Sequence, residues 1–173
     1  MNIETDIMIR DATIGDVPAI LEMVRELAEY EKKDVKSMPL NANTLIKYGY
    51  SADPYFWILV AEDKQKNLIG YALYYFTFRP SEGAPILYVE DIYVKAAHRK
   101  QGIGRKLLSS LANITINKEC AYMEGSVFAW NEATISLYQT QLKAELRRDL
   151  IPVRLRGENL IALADTSNTL QPS

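Results

Sequence analysis

The stretch that most restricts this chain is residues 86–111, ILYVEDIYVKAAHRKQGIGRKLLSSL. Its first half, Ile86 to Val94, is β-branched, aromatic and aliphatic, the composition of a buried strand. Its second half repeats apolar residues at helical spacing through Ile103, Leu107 and Leu111. Between them lies a short basic loop with glycines at 102 and 104. Glycines where a loop enters a helix let backbone N–H groups approach a ligand closely, and the helix N-terminus adds about half a positive charge. Arg99, Lys100, Arg105 and Lys106 surround the loop, so it reads as a phosphate or pyrophosphate site. A Walker loop is not present, and the three spaced glycines of a dinucleotide fingerprint fail at Leu107.

Composition narrows the class. A net charge of −2 over 173 residues supplies no global field for nucleic acid, so the basic residues at 99–106 are a local cluster. One cysteine, Cys120, excludes an internal disulfide. One histidine, His98, excludes a multi-histidine metal site and argues against Cys-His or Ser-His catalysis. No apolar run reaches the length of a membrane span. These features fit a reducing compartment and lead us to expect no metal, nucleic-acid or membrane partner.

Hydrophobic periodicity and breakers predict the order β-α-α-β-β-β-α-β-α-β-β, an α/β fold on a mixed sheet. Thr13 with Asp16 marks the first helix start, and Asn41 or Asn43 caps a short second helix. Residues 55–61 and 68–78 read as strands, as does 121–129, and a helix is expected from Glu132 to about Gln141. Residues 147–152 and 153–163 are expected to close the sheet as a hairpin. One domain, 1–164, is expected, followed by a polar, disordered tail at 165–173.

Two further groups could carry chemistry. Glu90 and Asp91 are adjacent in a strand, so their side chains point to opposite faces, and at least one must open onto water or a cleft. They form either an acidic recess for a cationic amine, with proton removal through water, or a structural ion pair. Asn131, Thr134 and Tyr138 fall on one helix face. By spacing alone Tyr138 is a core aromatic and Asn131 a helix cap.

Residues 99–104, RKQGIG, match the Arg/Gln-x-x-Gly-x-Gly/Ala signature of the GNAT N-acetyltransferase family, which the chain resembles. ELAEYE at 26–31, GYALYYFTF at 70–78, LYVEDIYV at 87–94 and WNEATISLY at 130–138 resemble its diamine (spermidine/spermine) branch more closely. The resemblance implies a GNAT fold: a mixed, mostly antiparallel sheet of about seven strands, splayed between strands 4 and 5, with about four helices. It implies an acetyl-CoA-dependent N-acetyltransferase (EC 2.3.1) acting on a primary amine of a small cation, a diamine, polyamine or thialysine, in a ternary complex. The branch is similar in being cytosolic, homodimeric and metal-free.

Residue by residue, the resemblance implies coenzyme contacts at Ile92, Tyr93 and Val94, at the loop Arg99, Lys100, Gln101, Gly102, Ile103, Gly104 and Arg105, and at Asn131 and Thr134. Tyr138 matches the general acid, and also contacts the cofactor. Tyr30, Glu31 and Glu90 match acceptor-side positions with Asp91 beside them, Glu90 also being catalytic. The chain departs from the branch at Lys100, where glycine is usual, and at Val153, where the branch carries tryptophan. Acetylation of a protein lysine or N-terminus, and non-catalytic acyl-CoA sensing, are the competing readings.

Overall fold

A computed structural model describes residues 7–167. Its elements are β1 (Met8–Asp11), α1 (Val17–Tyr30), α2 (Ala42–Gly49), β2 (Trp57–Glu62), β3 (Leu68–Arg79), β4 (Ala84–Val94), α3 (Ile103–Asn117), β5 (Met123–Gly125), α4 (Glu132–Ser136) and α5 (Glu158–Ser167). The chain divides into two compact units, the first ending at Ser126 and the second beginning at Val127.

The first unit holds a five-stranded sheet in the order β1-β2-β3-β4-β5. The pairs are antiparallel except for β4 with β5, which is parallel. Strict alternation along β2 sends Ile58 and Val60 to one core and Leu59 and Ala61 to the other, which is why helices cover both faces. The first core is closed by α1, whose Val17, Ile20, Leu21, Met23, Val24, Leu27 and Ala28 are buried on one face. Each large aliphatic in that set contributes about 1.5–3 kcal/mol by leaving water. The second core is closed by α3 through Ile103, Leu107 and Leu111.

Helix starts follow the local chemistry. The Asp16 carboxylate accepts from the Thr13 N–H at 2.7 Å. The Asn41 Oδ1 accepts from the Thr44 N–H at 3.1 Å, which decides between the two candidate caps. An ion network ties the first strands to the start of α1: Arg10 donates to Asp16 at 2.7 Å and to Glu62 Oε2 at 2.7 Å, and Lys66 donates to the other Glu62 oxygen at 2.7 Å.

Strand β5 is shorter than the expected strand at 121–129. Its pairing covers Leu87↔Met123, Tyr88↔Glu124 and Val89↔Gly125 only. Gly125 permits that approach, since a Cβ there would lie 2.8 Å from the Val89 carbonyl oxygen. Beyond Val89 the β5-facing edge of β4, residues 90–94, runs on past its last β5 partner.

In the second unit, α4 passes into a π-helical turn at Leu137–Gln141. The expected closing hairpin is not formed. Residues 151–156 have no regular structure, and α5 occupies 158–167. Two local causes account for this. Pro152 removes a ladder donor, and Gly157, at φ 59°, turns the chain before Leu160, Ile161 and Leu163, which recur at helical rather than strand spacing. The sheet therefore has five strands rather than seven among the described residues, and five α-helices rather than four. Asp165–Ser167, expected in the tail, belong to α5, and the rest of that tail lies outside the described residues.

Candidate active site

A β-bulge in β4 builds the acidic part of the site. Leu73 faces Asp91 and Tyr74 faces Val89, so Glu90 is the extra residue. The bulge changes the phase of the strand. Leu87 and Val89 lie in the α3 core, as do Ile92 and Val94, while Tyr93 lies in the α1 core. Uninterrupted alternation would have kept Asp91 on the face of Val89. Instead Asp91 shares the face of Tyr93 and accepts a hydrogen bond from the Tyr71 hydroxyl at 3.0 Å. Glu90 is exposed and Asp91 partly shielded, so the two neighbours do have different surroundings.

Burial pushes the Asp91 carboxyl above the usual carboxylate range. The Tyr71 hydroxyl opposes that shift, while the negative charges of Glu90 and Glu31 add to it, and Lys33 pulls it back. The Tyr71 phenol is itself held well above its ordinary value, by burial first and Asp91 second. The charges of Glu31 and Glu90 thus both reach Asp91, and the α1 C-terminus delivers Glu31. That terminus is a Schellman turn: Lys33 N–H donates to Ala28 O at 2.9 Å, and Lys32 N–H to Glu29 O at 3.0 Å. Lys32 holds the left-handed position at φ 59°, where glycine is usual.

The glycine loop between β4 and α3 is the second part of the candidate site. Lys100 (φ 61°) and Gly102 (φ 78°) are both left-handed, and Gly102 is the N-cap of α3. The first intrahelical bond runs from Lys106 N–H to Gly102 O at 3.0 Å. The amides of Ile103, Gly104 and Arg105 precede it and have no intrahelical acceptor, and Gly102 offers no side chain to cap them. A bound anion would satisfy those donors, with Lys100, Gln101 and Arg105 exposed around them. Arg99 is anchored differently. Its Nε donates to Val94 O at 3.0 Å, and its guanidinium lies 5.1 Å from the Tyr30 ring centroid and 5.5 Å from that of Tyr93. Tyr93 in turn donates to Glu26 at 2.9 Å. The end of α1 and the glycine loop are therefore joined through one arginine.

Asn131, Thr134 and Tyr138 belong to the second unit. Asn131 Oδ1 accepts from the Thr134 N–H at 3.3 Å, as a helix cap does. Tyr138 is half-buried in the π-helical turn, a distortion common at functional sites, and burial pushes its phenol up. Burial also pushes the Cys120 thiol up, which keeps it a thiol rather than a nucleophile.

Residues 7–126 follow the expected order of elements, and solved structures share the fold. An integron cassette protein from the mobile metagenome of V. cholerae superimposes with a TM-score of 0.75 at 22% identity, over 91% of this chain and 97% of that one. Residues 20–142 match the model of the Acetyltransferase (GNAT) family. The chain belongs to the GNAT acetyltransferase family. As a GNAT protein it is an N-acetyltransferase, EC 2.3.1. It is 38% identical over 141 residues to a thialysine N-epsilon-acetyltransferase of Sus scrofa, covering 78% of this chain and 82% of that one. It is 39% identical over 139 residues to the spermidine/spermine N(1)-acetyltransferase-like protein 1 of Homo sapiens, covering 77% of this chain and 20% of that protein.

Sequence reasoning missed the contacts of Tyr71 with Asp91, of Glu26 with Tyr93 and of Lys33 with Glu31. Tyr71 stood among the sheet aromatics, and nothing local marked it as the partner of a carboxylate 20 residues on. Lys33 could not be found by pattern, because its Schellman turn lacks the glycine that signals one. Among the described residues no helix is long and apolar enough to cross a membrane.

Proposed function

We propose that this chain moves the acetyl group of acetyl-CoA to a primary amine of a small cationic acceptor, a diamine, polyamine or thialysine-like compound, by direct transfer in a ternary complex. The observation that supports the small-cation reading is that the β4 bulge turns Asp91 to the Tyr71 face, where the charges of Glu31 and Glu90 reach it. Three carboxylates in one neighbourhood suit a compact cation better than a neutral peptide.

In this reading the amides at the start of α3, with Lys100, Gln101 and Arg105, hold the pyrophosphate, and Arg99 orders the loop. Ile92, Tyr93 and Val94 offer main-chain partners to the pantetheine arm along the edge of β4 that β5 leaves open. Asn131 and Thr134 make a further coenzyme contact. Tyr30, Glu31, Glu90 and Asp91 receive the acceptor.

A lysine-like amine with pKa about 10.4 is neutral in only about one part in two thousand at pH 7, so the site must bind the cation and then take a proton. Glu90 or Asp91, through water, does both. The neutral nitrogen attacks the thioester carbonyl, the C–S bond breaks, and Tyr138 protonates the departing thiolate while also contacting the cofactor. The thiol's own pKa of about 8.5 makes that last contribution modest. Both units belong to one catalytic domain in this reading, and the branch resemblance supports a cytoplasmic homodimer.

The test is thiol release from acetyl-CoA with spermidine, spermine, putrescine, thialysine, lysine and a histone peptide. Release with the small amines supports the reading. Release with the peptide alone would replace it by protein acetylation, and cofactor binding without release by any amine would replace it by sensing. Tyr138→Phe should lower kcat with the KM for acetyl-CoA nearly unchanged.

A further inference from the structure

The acceptor-side cluster holds a cation of the protein's own. Lys33 Nζ lies 2.5 Å from Glu31 Oε2, a carboxylate whose side chain is only 17% exposed while that of Lys33 is 51% exposed. The placement is built by the backbone. The Schellman turn after α1 folds the chain back over its last turn, with Lys32 accepting a left-handed conformation that costs a non-glycine residue about 1 kcal/mol. The positive charge of Lys33 reaches Asp91 in the bulge, opposing Glu31 and Glu90 there. Asp91 therefore feels two further carboxylates and one ammonium, and Lys33 is the more exposed member of its pair with Glu31.

We propose that Lys33 is a specificity-determining residue of the acceptor site, favouring lysine-like amino acids, which carry a carboxylate as well as the reacting amine, over polyamines. This rests on the acetyltransferase reading above. An amino-acid acceptor can set its ammonium against the carboxylates and its own carboxylate against Lys33 Nζ. A polyamine brings extra positive charge to the same place, meets Lys33 as a like charge and competes with it for Glu31, and has no carboxylate of its own to set against the ammonium. Specificity then comes from repulsion of one class as much as attraction of the other.

The experiment is the measurement of kcat/KM by thiol release for lysine or thialysine and for spermidine, with wild type, Lys33→Gln and Lys33→Arg. Lys33→Gln should lower kcat/KM for the amino acid and raise it for spermidine, shifting the ratio by about tenfold at low ionic strength. Lys33→Arg should retain the wild-type ratio, and the KM for acetyl-CoA should stay constant across all three. Opposite signs for the two acceptors distinguish this role from a structural one, which would move both together. An unchanged ratio in Lys33→Gln, with thermal melting as in wild type, overturns the assignment of Lys33 and leaves the acetyltransferase reading intact. A wild-type protein that acetylates neither class of amine overturns that reading, and this inference with it.

Discussion

The Tyr71 hydroxyl donates to Asp91 Oδ2 at 3.0 Å, across a strand pair in which the bulge at Glu90 has moved Asp91 to the Tyr71 face. The bond partly offsets the cost of burying a carboxylate, and burial still wins, so the folded protein holds a proton on Asp91 at higher pH than the unfolded chain does. The folded state binds more protons than the unfolded state in the window above the ordinary carboxylate value of about 3.9, so Asp91 subtracts stability as pH rises through it. Asp91→Asn should raise Tm at pH 7, keep the Tyr71 bond through the amide oxygen, and flatten that part of the stability–pH curve. Thermal melts from pH 4 to 8 would reveal it. Turnover should fall in the same variant if Asp91 takes the acceptor's proton.

Arg99 couples two parts of the site, because its guanidinium lies over both Tyr30 and Tyr93 while Nε holds Val94 O. Arg99→Ala should raise KM for acetyl-CoA and for the amine together, each about five- to tenfold, from loss of contacts of about 1 kcal/mol apiece. Arg99→Lys should restore little, since an ammonium neither stacks as a plane nor reaches the carbonyl in the same way. Initial-rate kinetics with both substrates varied would decide it.

Asp16 responds to acid with the opposite sign. Its carboxyl is held down to about 2, chiefly by the hydrogen bond from Arg10. The stability it contributes is full above its ordinary value near 3.8 and is lost as pH falls through about 2. Asp16→Asn should cost about 2 kcal/mol at pH 7, with the difference from wild type vanishing near pH 2. Urea titrations at several pH values test this.

Lys100 occupies a left-handed position, φ 61°, that glycine would adopt without strain. Lys100→Gly should change stability by less than about 1 kcal/mol, since relief of strain offsets the added freedom of the unfolded chain. The same change should weaken acetyl-CoA binding several-fold at low salt through loss of a cation at the phosphates, with the difference shrinking at high salt. Calorimetric titration at two ionic strengths separates the two effects.

Gly125 is where β5 touches β4. A Cβ there would lie 2.8 Å from Val89 O, a backbone atom that cannot swing aside as the end of a flexible side chain could. Gly125→Ala should destabilise by about 2 kcal/mol and disturb the edge of β4 beyond Val89. A denaturation midpoint checks the first effect, and KM for acetyl-CoA the second.

Much of the fold was legible because its signals are local. Strands β2 to β4 carry long β-branched and aromatic runs, α1 and α3 carry one apolar face each, and Asn41 and Gly102 mark helix starts chemically. The C-terminal segment was not legible. Ile151, Val153 and Leu155 alternate like a strand, but Pro152 stands among them and helix-spaced apolar residues follow Gly157. Local preference there is divided, and a strand exists only if a sheet edge receives it.

By itself the amino-acid sequence determined an α/β chain with a glycine loop at the head of α3, because composition, periodicity and glycine spacing act over a few residues, and the likeness of RKQGIG to the GNAT signature added the acetyltransferase reading. Only the tertiary structure decided which face Asp91 occupies, that Arg99 lies over two tyrosines, and that Lys33 returns to Glu31. Each of these depends on backbone that departs from its repeat: a bulge, a close packing of α1 on β4, and a left-handed lysine. A one-residue slip reverses every side chain beyond it, and no local pattern records where the slip is accommodated.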